Sequence, residues 1–160
     1  MGGTNTGPGM PLQPEEVTQP GGGRIQRFTR GTLVYHPKTG AKKVAGDIEQ
    51  RLRNIGGTYY GYPNIDETVT LSFPAPAGAY NDFLDIQGNV VNSVYWSPST
   101  GAVETYGALR QGWLDRGGYG GPLGYPTKPE EAAGGPDRKQ VFQHGTLLWK
   151  PGPGGGVFQQ

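Results

Sequence analysis

Two histidines, His36 and His144, are the only imidazoles in the chain, and it has no cysteine. A catalytic base should keep its place from copy to copy of a repeated sequence. Here the counterparts of His36 are Ser97 and Lys150, and that of His144 is Arg30. There is no Gly-x-Ser-x-Gly elbow and no cluster with zinc-ligand spacing. The carboxylate pairs Glu15-Glu16 and Glu130-Glu131 are adjacent in sequence, so their side chains diverge rather than flank a glycosidic bond. Catalysis, a bound metal and a cofactor are therefore not expected. Another chemistry is open to Tyr35, Trp96 and Trp149, each two residues ahead of a proline. An aromatic face packs on the C–H face of a sugar ring, and Tyr and Trp add a polar handle. One such contact is weak, about 1 kcal/mol. Several on one polymer gain through effective concentration. The same rings can instead close a hairpin over a helix of their own copy, and both readings stay open.

The segments that carry these rings repeat. Gly9-Met10-Pro11, Gly61-Tyr62-Pro63 and Gly124-Tyr125-Pro126 open three copies, with Glu15, Glu67 and Glu130 each four residues past the proline. Later in each copy come Tyr35-His36-Pro37-Lys38-Thr39-Gly40-Ala41, Trp96-Ser97-Pro98-Ser99-Thr100-Gly101-Ala102 and Trp149-Lys150-Pro151. Self-similarity at this spacing marks an array of one supersecondary unit. The 30 glycines and 15 prolines then read as turn punctuation rather than disorder, because many fall at equivalent places.

Each opening reads as an extended turn, since proline disfavours helix at the residue before it. Glu15, Glu67 and Glu130 are expected to begin a single helical turn and to cap backbone N–H groups. A β-hairpin follows: Arg24–Phe28 and Thr32–Tyr35 flank Thr29-Arg30-Gly31, and Lys139–Phe142 and Thr146–Trp149 flank Gln143-His144-Gly145. The middle copy is longer, with the extra residues around Ser72-Phe73-Pro74-Ala75-Pro76 and Asp85-Ile86-Gln87-Gly88-Asn89. A helix closes the first two copies. Val44, Ile48, Leu52 and Ile55 form one apolar stripe ended by Gly56-Gly57; Tyr106, Leu109 and Trp113 form another ended by Gly117-Gly118. The third copy has no such helix. The expected fold is α+β: tandem short hairpins plus short amphipathic helices packed into one compact domain, with units near 10–60, 61–122 and a truncated 123–160. Residues 1–9 read as a flexible linker, so the chain reads as a module cut from a longer protein.

Net charge is only +1, yet residues 24–53 hold eight basic residues against Asp47 and Glu49. This is a solvated face or a surface for an anionic polymer. A nucleic acid is not expected, for no known motif accompanies it. No apolar run is long enough to span a membrane.

Leu123-Gly124-Tyr125-Pro126-Thr127 with Glu130, the Phe–Gly hairpin, the aromatic-x-Pro-x-Thr-Gly-Ala turn and the helix closing on Gly-Gly together resemble the LGFP repeat. Tyr125 stands in the Phe place, Tyr60 in the Leu place of the second copy, and Pro8-Gly9-Met10-Pro11 departs most. Such repeats are typical of exported actinobacterial proteins and of lysins of their phages, C-terminal to mycolyltransferases or amidases. The resemblance implies an extracellular, wall-located, non-catalytic targeting module that is monomeric. Its partner would be peptidoglycan or arabinogalactan and its parent enzyme a mycobacteriophage endolysin. The rival class is a protein-interaction or spacer module. Candidate ligand-binding residues are Tyr35, Trp96 and Trp149, with Tyr59, Tyr60, Tyr62 and Tyr119 in the Gly-rich junctions, Tyr125, and Arg110 beside them. Tyr62 and Tyr125 read equally as packing between units, and Trp113 as core.

Overall fold

The computed structural model describes residues 7–14, 16–70, 78–85 and 87–160. Glu15 of the first opening and the extra residues expected at 72–76 lie outside them. Unit 1 is an antiparallel meander of β1 (Glu16–Gln19), β2 (Gly23–Phe28), β3 (Gly31–His36) and β4 (Gly40–Val44), followed by helix α1 (Gly46–Asn54). Unit 2 pairs β5 (Tyr62–Pro63) and β6 (Thr68–Thr70) with β7 (Gly78–Leu84), then adds β8 (Val90–Ser97) and β9 (Gly101–Tyr106) before α2 (Gly107–Leu114). Unit 3 is β10 (Glu131–Gly134), β11 (Asp137–Phe142), β12 (Gly145–Lys150) and β13 (Gly156–Gln159).

The protein is thus mostly β-sheet, three antiparallel sheets with two α-helices among the described residues, and not the expected α+β array of hairpin plus helix. The hairpins exist, but each has strands added on both sides. Pro37-Lys38-Thr39-Gly40 explains one addition. Thr39 N–H donates to the His36 carbonyl at 3.1 Å, and Gly40 takes φ +70°. That is a proline-started turn with a left-handed exit, which sends the chain back as a fourth strand rather than into a helix. Pro98–Gly101 repeats it, with Thr100 N–H on the Ser97 carbonyl at 3.2 Å and Gly101 at φ +68°. Val44 therefore ends β4, and Tyr106 is the residue before α2; neither belongs to a helix stripe. The openings run into strands β6 and β10, not into helical turns.

Strand alternation then decides the layering. On the middle sheet, Ala79, Phe83, Val94 and Trp96 face one way and join Val34, Val44, Ile48 and Leu52 in a first core. Tyr80 and Tyr95 face the other way and join Leu109, Trp113, Leu123, Tyr125, Phe142 and Leu147 in a second. Each helix packs against its own sheet and the next: α1 on β3, β8 and β9; α2 on β8, β9, β12 and β13. Unit 3, which has no following helix here, is covered by α2. The units stack head to tail, and the same two faces meet at each joint.

The signature tyrosines lock those joints. Tyr62 is 3% exposed, stacks on His36 of unit 1 with centroids 4.3 Å apart, and lies over Gly23. Tyr125 is fully buried, lies beside Gly78 of unit 2, and its hydroxyl is 2.6 Å from Thr70 Oγ1. A methyl on Gly23 would overlap the Tyr62 ring. Gly23→Ala is therefore expected to destabilise by about 1–3 kcal/mol. Much of that loss should vanish in a Tyr62→Ala background, read as a double-mutant cycle in urea. Simple additivity would mean that ring and glycine do not share a socket.

A second lock is an amide at one register. Gln26, Asn81 and Gln140 each donate from the side chain to a carbonyl of their own opening, Gln13, Ile65 and Lys128. Asn81 and Gln140 also reach back to the last strand of the preceding unit, at the Lys43 carbonyl (3.4 Å) and the Glu104 carbonyl (2.8 Å). Charge follows the same logic. The basic first unit meets a second whose residues 61–121 hold six acids against Arg110 and Arg116. Across that joint Arg51 forks onto buried Glu104 at 2.5 and 2.6 Å, Lys43 N–H donates to Asp66 at 2.7 Å, and Ala45 N–H donates to Glu67 at 3.2 Å.

Candidate functional site

The predicted site residues do not gather in one place. Tyr62 and Tyr125 are sealed inside the joints and present no ring face to solvent. Arg110 is 8% exposed, with Nε donating to Ser93 Oγ at 2.7 Å and Nη2 to Asp82 at 3.3 Å. Tyr60 is half-buried against Phe83, its hydroxyl toward the Ser93 and Thr105 carbonyls. Tyr119 is half-buried, stacked on Tyr125 at 5.6 Å. The side chain of Tyr59 lies outside the described set. Of the two histidines, His36 is buried in a joint and His144 is exposed in another unit. No group of three or more potential metal ligands occurs among the described residues.

Burial and neighbouring carboxylates push the phenols of Tyr60 and Tyr95 well above the usual range: Glu104 acts on the first, Asp82 on the second. A raised folded value contributes stability that is complete below the unfolded phenol value, about 10, and is lost as pH rises beyond it. The protein is expected to unfold cooperatively in alkali. Absorbance at 295 nm should then show part of the phenolate titration coinciding with loss of the folded circular dichroism signal. Full titration of all tyrosines in a still-folded chain would contradict this.

The three equivalent rings have different fates. Trp149 is half-buried at the edge of the second core. Trp96 is half-buried, donates from Nε1 to Asp47 at 2.7 Å, and lines a groove of about 530 Å³ where α1 meets the middle sheet. Ala45, Ile48, Glu67, Val69, Ala79 and Pro98 supply other walls. Burial raises the Glu67 carboxyl above the usual carboxylate range, against its bond from Ala45 N–H. Tyr35 remains 40% exposed. It shares an open groove of about 510 Å³ with Arg24, Gln26, Phe28, Leu33 and Ala41.

Pairing register explains why Tyr35 stays open. Arg24, Gln26, Phe28, Leu33 and Tyr35 occupy the places of Ala79, Asn81, Phe83, Val94 and Trp96, and of Arg138, Gln140, Phe142, Leu147 and Trp149. In units 2 and 3 this face is covered by the unit before. In unit 1 no other unit covers it among the described residues. The LGFP repeat model matches residues 9–58, 61–121 and 123–160. The chain belongs to the LGFP repeat family. No curated protein matches the sequence. The chain is a stack of LGFP repeats, and the four-letter signature has structural work in unit 3. Leu123 fills the second core, Gly124 at φ +68° lies close against Gln143, Tyr125 docks on unit 2, and Pro126 bridges to Phe142. No helix among the described residues is long and apolar enough to cross a membrane.

Sequence reasoning missed Asp47 and Glu67 as walls of a groove, and the amide register. The signal for the second was present, since position 26 and its counterparts are Gln, Asn and Gln.

Proposed function

We propose that this LGFP stack holds a repeating glycan of the actinobacterial cell wall, peptidoglycan or arabinogalactan, and so keeps an envelope-active enzyme such as a mycobacteriophage endolysin at its substrate. The observation that supports this reading most is the face of unit 1 that no other unit covers among the described residues. It offers a phenol ring, an apolar floor of Phe28 and Leu33, and polar groups from Gln26 and Arg24 at the same groove. Ring, floor and convergent polar groups are what a sugar needs. The test is co-sedimentation with insoluble mycobacterial wall, before and after arabinogalactan is stripped. The chain should sediment, and Tyr35→Ala should weaken binding roughly fivefold to tenfold, the loss of about 1 kcal/mol or slightly more. Sedimentation with neither preparation would put the protein-interaction reading ahead. That reading is favoured by one fact: the counterparts of this face in units 2 and 3 are covered by protein. Dye-labelled wall incubated with the chain should release no soluble fragments.

A further inference from the structure

The two joints are built from equivalent positions, and at one of them arginine gives way to alanine. Across the second and third strands of each unit, Arg24 faces Tyr35, Arg138 faces Trp149, and Ala79 faces Trp96. Two copies carry arginine at this place and the middle one carries alanine. In unit 3 the arginine is engaged by a carboxylate of its own opening, with Arg138 Nε donating to Glu130 Oε1 at 2.8 Å. Glu67 is the counterpart of Glu130, four residues past the opening proline. With Ala79 in the middle copy, Glu67 has no guanidinium. The hydrogen bond to its carboxylate among the described residues is the one from Ala45 N–H. Lys43 acts on it through space but forms no ion pair with it among the described residues. The stretch 71–77, which runs between β6 and β7, contains no basic residue.

Beside Ala79 the joint has its groove of about 530 Å³. Glu67 and Asp47 are on its walls, the Trp96 indole is a third, and Ala45, Val69 and Pro98 are apolar. The α1 N-terminus carries partial positive charge, but Asp47 stands in its first turn and Glu67 accepts from its Ala45 N–H, so two carboxylates and no cationic side chain line the groove among the described residues.

We propose that this groove binds a cationic head on an aliphatic stem, an alkylguanidinium or alkylammonium group, in the place that the Arg138 side chain takes in the next joint. The head lies between the Glu67 and Asp47 carboxylates and against the indole of Trp96, where charge-assisted hydrogen bonds and the ring's negative face both favour it. The stem runs over the apolar wall. The assignment rests on the joint's own geometry and stands whether or not the Tyr35 face of unit 1 binds a glycan.

The probes are agmatine, n-butylammonium and 1-butanol, titrated into the full chain while the Trp96 indole N–H is followed by NMR. The two cations should give saturable shifts that weaken with added salt, and 1-butanol should give little. Glu67→Gln should weaken agmatine binding roughly tenfold through loss of one charge-assisted contact. Ala79→Arg copies unit 3, fills the groove from within, and should abolish the shift in a folded chain. The proposal is overturned if 1-butanol matches the cations, or if agmatine binds the Ala79→Arg chain as it binds the parent. Should Glu67→Gln fail to fold, Ala79→Arg decides alone.

Discussion

Removing residues 119–160 should leave no stably folded remainder. The deletion strips Leu123, Tyr125, Phe142 and Leu147 from the second core. Tyr95, Leu109 and Trp113, now between 0% and 3% exposed, would face water. Fully burying one large apolar side chain is worth about 1.5–3 kcal/mol. Several such losses together reach the whole stability of a typical domain, about 5–15 kcal/mol. The middle sheet suffers most because it is two-faced: its first-core side cannot compensate for a bare second side. Circular dichroism and proton NMR of residues 1–118 should show loss of fixed structure. A dispersed spectrum with a cooperative melt would refute this account of how the sheets support one another.

Trp113→Ala is the largest single-residue effect expected, about 3–5 kcal/mol. The indole is fully buried, meets Tyr95 edge-on at 4.7 Å and stacks near Phe142 at 5.7 Å. Its Nε1 donates to the Gly124 carbonyl at 2.9 Å, so truncation opens a cavity and frees a carbonyl of the unit 3 signature at once. Urea unfolding should show the midpoint falling sharply. Trp113→Phe should recover part of the packing but not the hydrogen bond. A loss under about 1 kcal/mol for the alanine variant would mean that α2 does not hold unit 3 in place.

The repeat and its family were legible because glycine, proline and aromatic residues recur in order, and each is tied to a backbone need or a packing need that only a few residue types meet. The helices α1 and α2 were found through Ile48 and Leu52, and through Leu109 and Trp113, whose spacing puts them on one face. What misled was the end of each strand. Val44 and Tyr106 sit one or two residues ahead of a helix, so they extend its apolar stripe in sequence while belonging to the sheet in space. The outer strand β10 is short and largely exposed, so no alternation announces it. The fate of the rings was not legible at all. Tyr35, Trp96 and Trp149 are equivalent by every local criterion; their exposure depends on whether a neighbouring unit covers them. Position 79 could have been noticed, because arginine, alanine and arginine at one register is a break in pattern. Its meaning needed the Glu130 contact to be seen.

The head-to-tail joint, with a tyrosine from one unit seated over a glycine of the unit before, bears on how such chains change length over generations. Every internal joint uses the same pair of surfaces, so a duplicated unit spliced between two others finds a matching neighbour on both sides, and neither terminus needs redesign. Duplication out of phase would put a tyrosine where no glycine waits, or leave a helix without a sheet to cover. Growth by whole copies is thus the path of least disturbance, and a chance change such as alanine at position 79 can give one joint a character that its siblings lack.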